Sequence, residues 1–358
     1  MSRRQVMREN KKIRGDRCHD RLVKEIKPGL AFSESLDFSS WREQIKNKFF
    51  ELVGISEIEK NACPLSVDVE WSERRDGYTI TRFVFESERD EWVPCYLLLP
   101  DTGKEKYPVA ICLQGHTWGF HESIGEIKYE IDKQFMPRAQ FAVQAVKNGY
   151  AALAIEQRAM GERRSPKAYG EDNIPYPRAH MCAVGVLTAL SLGRTVIGER
   201  IWDISRAIDA LSEFPACDTE RVLVTGNSGG GTASFYAACF DERIGLSAPS
   251  CSFCSYKTSI LAIEHCACNY IPNGIRWFDM QDVSCLIAPR RLMVITGKED
   301  DIFPIEGVRE SYEAVKKIYT AAGVPDLCRI VETPKGHYWC EDIVWQAINE
   351  ECEKLGWR

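Results

Sequence analysis

The chain has 358 residues, 46 Lys and Arg against 52 Asp and Glu for a net charge of −6, 44% hydrophobic residues and 27% charged. That balance suits a globular protein with a sizeable core, gives no electrostatic footing for nucleic acid or an anionic membrane, and is accompanied by no run of ~18 apolar residues that would span a bilayer. Fifteen scattered cysteines, in a chain whose opening residues (Met1-Ser2-Arg3-Arg4-Gln5) lack the apolar core of a secretion signal, read as buried free thiols of a cytoplasmic protein.

Residues 1–37 are polar, basic and weakly periodic, an arm that is either flexible or wrapped on the body. Residues 38–54 carry apolar residues at helical spacing, with Ser39 or Ser40 as cap and Gly54 as stop. Residues 1–60 thus read as an N-terminal arm and helix, and 61–358 as the catalytic domain. Over 65–99 the pattern alternates and is rich in Val, Thr, Tyr and Phe, which predicts two or three antiparallel strands around the Arg75-Asp76-Gly77 turn.

From residue 109 strands and helices alternate. Strands are expected at 109–113, 150–156, 221–226, 244–248, 291–296 and 328–332. Helices are expected at roughly 136–148, 194–214, 230–240, 305–321 and 342–354. This is an α/β pattern: a mainly parallel central sheet with helices on both faces, entered through antiparallel N-terminal strands. Two cap-like insertions, about 158–193 and 250–285, leave the carboxyl ends of strands, where open α/β sheets bind ligands. Tyr176, Tyr270, Trp277 and Phe278 in them, with Trp118 and Phe120 nearby, are candidates to stack on a sugar or hold an acyl group; the plainer reading is lid packing.

The stretch Arg221-Val-Leu-Val-Thr-Gly-Asn-Ser228-Gly-Gly-Gly-Thr232 is the most informative. A buried strand runs into G-x-S-x-G and then into an apolar helix. The turn forces the serine into strained backbone geometry, so its neighbours must lack a Cβ for strand and helix to pass closely. The serine oxygen then stands at the positive end of a helix, where backbone N–H groups can meet an oxyanion. A serine nucleophile needs a base and the base an orienting carboxylate. His337, in Gly336-His337-Tyr338 after an apolar strand, is the better-placed base; His265 is the other downstream histidine. Glu299, Asp300 and Asp301 follow the strand Arg291–Thr296; the stretch from Gly297 to Pro304 resembles the G-x-x-D-x-x-x-P spacing of the α/β-hydrolase fold, and that resemblance implies Asp300, with Asp301 as the alternative. Ser228, Asp300 and His337 are therefore the catalytic candidates. The oxyanion hole is expected from the backbone N–H groups of Gly229 and of His116, which lies in the Gln114-Gly115-His116 turn after a strand; the His116 side chain either lines the pocket or packs.

Cys251-x-x-Cys254 and His265-Cys266-Ala267-Cys268 place four thiols and an imidazole within 18 residues. One residue between Cys266 and Cys268 is poor spacing for zinc, so the expectation is packing, with no metal and no organic cofactor; the alternatives are a metal site or a redox-active pair built on this cluster.

Together the antiparallel entry, Gln114-Gly115-His116, Gly226–Gly230, Gly297–Pro304 and Gly336-His337 resemble the α/β-hydrolase fold. Gln157-Arg158-Ala-Met-Gly161, Trp202-Asp203-x-x-Arg206 and Cys217-Asp-Thr-Glu-Arg-Val222 resemble the acetylxylan esterase and dienelactone-hydrolase-like group of bacterial esterases. The resemblance implies a Ser228–Asp300–His337 triad acting through an acyl-enzyme on small or carbohydrate acetyl esters. The alternatives are a peptidase or amidase of the same fold, or a hydrolase scaffold used for binding. The expected partner is a small-molecule or oligosaccharide ester; a homo-oligomer stays open.

Overall fold

The computed structural model describes residues 15–166 and 182–358. Nine strands follow in chain order: β1 (Val67–Arg75), β2 (Tyr78–Glu88), β3 (Glu91–Pro100), β4 (Tyr107–Leu113), β5 (Ala151–Ile155), β6 (Cys217–Asn227), β7 (Ile244–Ser250), β8 (Arg291–Gly297) and β9 (Cys328–Thr333). They form one sheet in the order β1-β2-β3-β5-β4-β6-β7-β8-β9. β1, β2 and β3 pair antiparallel, as does β3 with β5, and every pairing from β5 through β4 to β9 is parallel. The expected fold class is thus the observed one.

The helices among the described residues are α1 (Arg17–Glu25), α2 (Phe38–Val53), α3 (Ile55–Glu59), α4 (Phe141–Lys147), α5 (Ala183–Ser191), α6 (Val196–Ala210), α7 (Gly229–Phe240), α8 (Met280–Val283), α9 (Ile305–Ala321) and α10 (Glu341–Lys354). They cover both faces because successive side chains of a strand point to opposite sides. On β4, Val109, Ile111 and Leu113 enter a core shared with α2, α6 and α7, whereas Ala110 and Cys112 enter a second core with α4 and α10. Trp41, Ile45, Phe49 and Val53, four residues apart, make the buried stripe of α2.

Local chemistry shifts several expected boundaries. Asp37, one residue before the helix, accepts from the Ser40 amide at 2.9 Å and caps α2 in place of Ser39 or Ser40, and Gly54 (φ +80°) ends it. Pro137 disfavours helix in the residue before it, and α4 begins only at Phe141. Thr195 accepts from the Gly198 amide and sets the start of α6. Within the arm, α1 forms without burying a residue, and beyond it Gly29 and Leu30 donate to the carbonyls of Arg276 and Trp277, tying the arm to the second insertion.

Candidate active site

Ser228 sits between β6 and α7 at φ 57° and ψ −124°, a backbone state that an L-residue adopts only under constraint. The constraint is steric. A Cβ on Gly226 would lie 2.3 Å from the Leu113 carbonyl oxygen, and one on Gly230 would lie 2.1 Å from it. The end of β4 therefore passes directly over the turn, and only glycines leave it room. The Ser228 amide donates to the Ser250 carbonyl at 2.9 Å, fixing the turn to the end of β7.

The serine opens on a cavity of about 420 Å³ whose wall also carries His337, Gln114, Gly115 and His116. His337 Nδ1 lies 3.0 Å from Asp300 Oδ2, and its ring stacks on Phe303 at 5.9 Å between centroids. Asp300 is buried, and its other oxygen accepts from the amides of Ile302 (2.9 Å) and Phe303 (3.0 Å). Burial opposes ionisation of this carboxyl, but the imidazole and the two amides outweigh it and hold it below its ordinary 3.8. The flanking Glu299 and Asp301 are exposed. His265 also reaches the cavity, but its Nδ1 meets the Asn269 side chain at 2.9 Å, and burial pulls it down to about 4, so it stays neutral. Ser228 Oγ closes no hydrogen bond to His337 in this structure; nucleophile–base bonds often tighten only in the substrate complex.

Among the described residues, the His116 amide donates to no protein acceptor, and the Gly229 amide, at the first turn of α7, is an orphan donor of the kind helix starts leave. The His116 ring lies against Gly229, where an added Cβ would come within 2.6 Å of Cε1. The undecided side chain of His116 thus both lines the cavity and packs, with Nε2 3.0 Å from Cys268 Sγ.

Glu156 was not singled out from sequence, yet it organises this loop. Its carboxylate accepts from Gln114 Nε2 at 2.7 Å and from the amides of Phe120 and Glu162 at 3.2 and 3.1 Å, while Gln157 Nε2 donates to the Gln114 carbonyl at 2.6 Å. Burial pushes Glu156 up to about 7, against the pull of the two amides. The available signal is Gln114 itself, an amide at the end of a buried strand, since a buried amide needs a buried partner.

The opening residues of the first insertion are anchored by charge. Arg158 bonds Glu88 at 2.7 Å and Asp203 at 2.8 Å, and Arg163 bonds Asp203 at 2.7 Å and Glu91 at 2.6 Å. Burial alone would raise Asp203, but the two guanidinium groups bring it down to about 2.

The aromatic candidates for substrate contact need correction, because Trp118, Phe120, Tyr270, Trp277 and Phe278 do not line the cavity. Phe278 is 1% exposed and packs edge-on against Phe49 in the core. Trp277 lies under Lys48 Nζ, 4.3 Å from the ring centre. Tyr270 donates its hydroxyl to the Ile260 carbonyl. Trp118 packs against Tyr129 and beneath the Arg164 guanidinium. Phe120 stacks on Tyr96, and Tyr176 lies outside the described residues. The aromatic lining is instead Phe135, Phe141 and Trp339, and polar groups on the wall include Arg138, Glu264 and Asn269.

The cysteine cluster also divides. Cys251 Sγ approaches the carbonyls of Gly336 and Tyr338, and Cys254 Sγ meets Thr258 Oγ1. Cys266 and Cys268 join His116 and Cys182, with one ligand atom from each lying within 4.8 Å of the others. Among the described residues, no helix is long and apolar enough to cross a membrane.

The model of the Abhydrolase family matches residues 8–232, which include the Ser228 turn. YtaP of Bacillus subtilis (strain 168), named as a hydrolase, is 24% identical over 310 residues, covering 86% of this chain and 97% of its own. A structure from Bacteroides fragilis, described as that of an acetyl xylan esterase, superposes with a TM-score of 0.75 at 17% identity, covering 95% of each chain. The glucuronoyl esterase from Solibacter usitatus superposes with a TM-score of 0.64 at 16% identity, covering 92% of this chain and 98% of its own.

Proposed function

Since the chain belongs to the Abhydrolase family, we propose that it is a serine carboxylic-ester hydrolase that deacetylates small or carbohydrate esters. The 3.0 Å contact between His337 and Asp300, on the wall of the cavity that Ser228 enters, is the observation that carries this reading. Ser228 Oγ attacks the ester carbonyl while His337 Nε2 takes its proton, and Asp300 holds Nδ1–H so that Nε2 is the basic nitrogen. The carbonyl oxygen becomes an oxyanion facing the amides of His116 and Gly229. His337 returns the proton to the leaving alcohol, and water then resolves the acyl-enzyme along the same path. No step requires a redox cofactor. The hydroxyl-rich alcohol of a sugar ester suits a cavity whose wall carries Arg138, Glu264 and Asn269. Structural neighbours described as acetyl xylan and glucuronoyl esterases support carbohydrate esters as the class.

A second reading exchanges the two halves of the ester. In a uronate ester the sugar carries the carboxyl, and the Arg138 guanidinium on the cavity wall suits the carboxylate released. Hydrolysis of acetylated xylo-oligosaccharides, methyl glucuronate and a matched acetyl amide, followed by release of acetate, methanol or amine, separates these readings. Acetate release at the highest kcat/KM supports the first; methanol release favours the second; amine release at comparable rate returns the peptidase or amidase alternative.

A further inference from the structure

We propose that His116, Cys182, Cys266 and Cys268 form a binding site for a zinc-class divalent cation that ties together three loops, two of which, those carrying His116 and Cys266, line the cavity. These residues come from three separated segments: His116 follows β4, Cys182 immediately precedes α5 in the first insertion, and Cys266 and Cys268 belong to the second. Three thiols and an imidazole are the donor set of a closed Cys3His site, and soft thiolates select zinc-like ions over magnesium or calcium.

The geometry suits one small ion. Cys182 Sγ lies 2.9 Å from Cys266 Sγ, Cys266 Sγ lies 3.7 Å from Cys268 Sγ, and Cys268 Sγ lies 3.0 Å from His116 Nε2. A tetrahedron with metal–sulfur bonds of about 2.3 Å has sulfur–sulfur edges of about 3.8 Å, so Cys266 and Cys268 already stand at the required edge, and the Cys182 and Cys266 thiols must part by about 0.9 Å to admit the ion. The spacing that argued against zinc in the sequence is resolved by local backbone. Cys266 is extended (φ −63°, ψ 131°) and the next three residues make a 3-10 turn, which brings the two thiols of Cys-x-Cys to one side.

Charge supplies an independent observation. Arg200 is 3% exposed, and among the described residues it pairs with no carboxylate. Its guanidinium donates to Cys268 Sγ at 3.3 Å and to the Arg158 carbonyl at 3.1 and 3.0 Å. A buried cation needs an anion. Three thiolates and a divalent ion carry a net charge of −1 and meet that need, with the thiol protons released to solvent as the metal binds.

The consequence is positional. Four protein donors leave no open coordination place, which marks a structural ion rather than one that activates water. Metal at Nε2 would hold the His116 ring against Gly229, and so would fix the loop that carries the His116 amide. Cys266 is itself on the cavity wall. His116 is therefore a positioning residue through its side chain, whatever the chemistry of the cavity.

The test uses the full chain purified without chelator. Metal analysis should find about one zinc per chain, and replacement by Co(II) should give the visible absorption of tetrahedral cobalt thiolate. Cys268→Ser and Cys182→Ser should each lose most of the metal, whereas Cys254→Ser should retain it. If those variants do not fold, chelator treatment of the native chain serves instead, lowering the melting temperature, with Zn(II) restoring it. A wild-type chain that takes up no Zn(II) or Co(II) would overturn the proposal, as would a Cys182–Cys266 disulfide in the reduced, zinc-supplemented protein, or full metal retention in folded Cys268→Ser. These readouts are independent of ester hydrolysis, so an inactive but zinc-loaded chain would refute the esterase reading alone.

Discussion

His337 Nδ1 meets Asp300 Oδ2 at 3.0 Å, while the next acid along the chain, Asp301, is exposed. Only one of two adjacent carboxylates can therefore fix the imidazole. Asp300→Asn is expected to lower kcat by about 10⁴ through the wrong tautomer, and Asp301→Asn to leave it nearly unchanged. Steady-state kinetics of both variants checks this; the opposite order would move the orienting acid by one residue.

The buried Arg158 pairs with Glu88 and Asp203. Replacing it by Met leaves Asp203 to Arg163 alone and Glu88 to Arg194 alone, and the loss of these charged hydrogen bonds is expected to cost about 1.5–3 kcal/mol in denaturant unfolding. A change below about 1 kcal/mol would show that the network contributes little to holding the first insertion.

Asp203 also sets a pH dependence. Its folded value is about 2, below the ordinary 3.8. A depressed carboxyl stabilises the folded state fully above the unfolded value and loses that contribution as pH falls through the folded one. Thermal unfolding of the native chain and of Asp203→Asn should thus differ by a constant amount from pH 8 to about 5 and converge between roughly pH 4 and 2. Convergence already at pH 6 would contradict the assignment.

Phe135, Phe141 and Trp339 line a cavity of about 420 Å³ that must also admit the alcohol. An open acyl tunnel would gain about 0.8 kcal/mol per methylene. A shallow one gains nothing beyond a short acyl group. The expected order of kcat/KM on 4-nitrophenyl esters is acetate above butyrate, with octanoate poorest; a steady rise toward octanoate would count against a carbohydrate acetyl esterase.

Much of this arrangement was legible because it follows from local rules. The Ser228 turn announces itself through glycines that the Leu113 carbonyl demands, and Ile305–Ala321 forms over the expected residues because its apolar period is unbroken. Where side chains choose partners across the fold, the sequence was a poorer guide. Trp277 and Phe278 lie in a loop over the sheet, yet one packs under Lys48 and the other against Phe49. His116 and Cys182 lie in loops without periodicity, and nothing along the chain announces that they meet Cys266 and Cys268. The helix Arg17–Glu25 buries nothing, so its apolar pattern carries no core signal.

The central claim is that Ser228 is the nucleophile of an ester hydrolase. Its most direct test is hydrolysis of 4-nitrophenyl acetate and acetylated xylo-oligosaccharides by Ser228→Ala, with the melting temperature measured alongside. The account predicts a folded protein whose kcat falls by about 10⁴–10⁶. A folded Ser228→Ala enzyme that hydrolyses either ester at close to the native rate would contradict it.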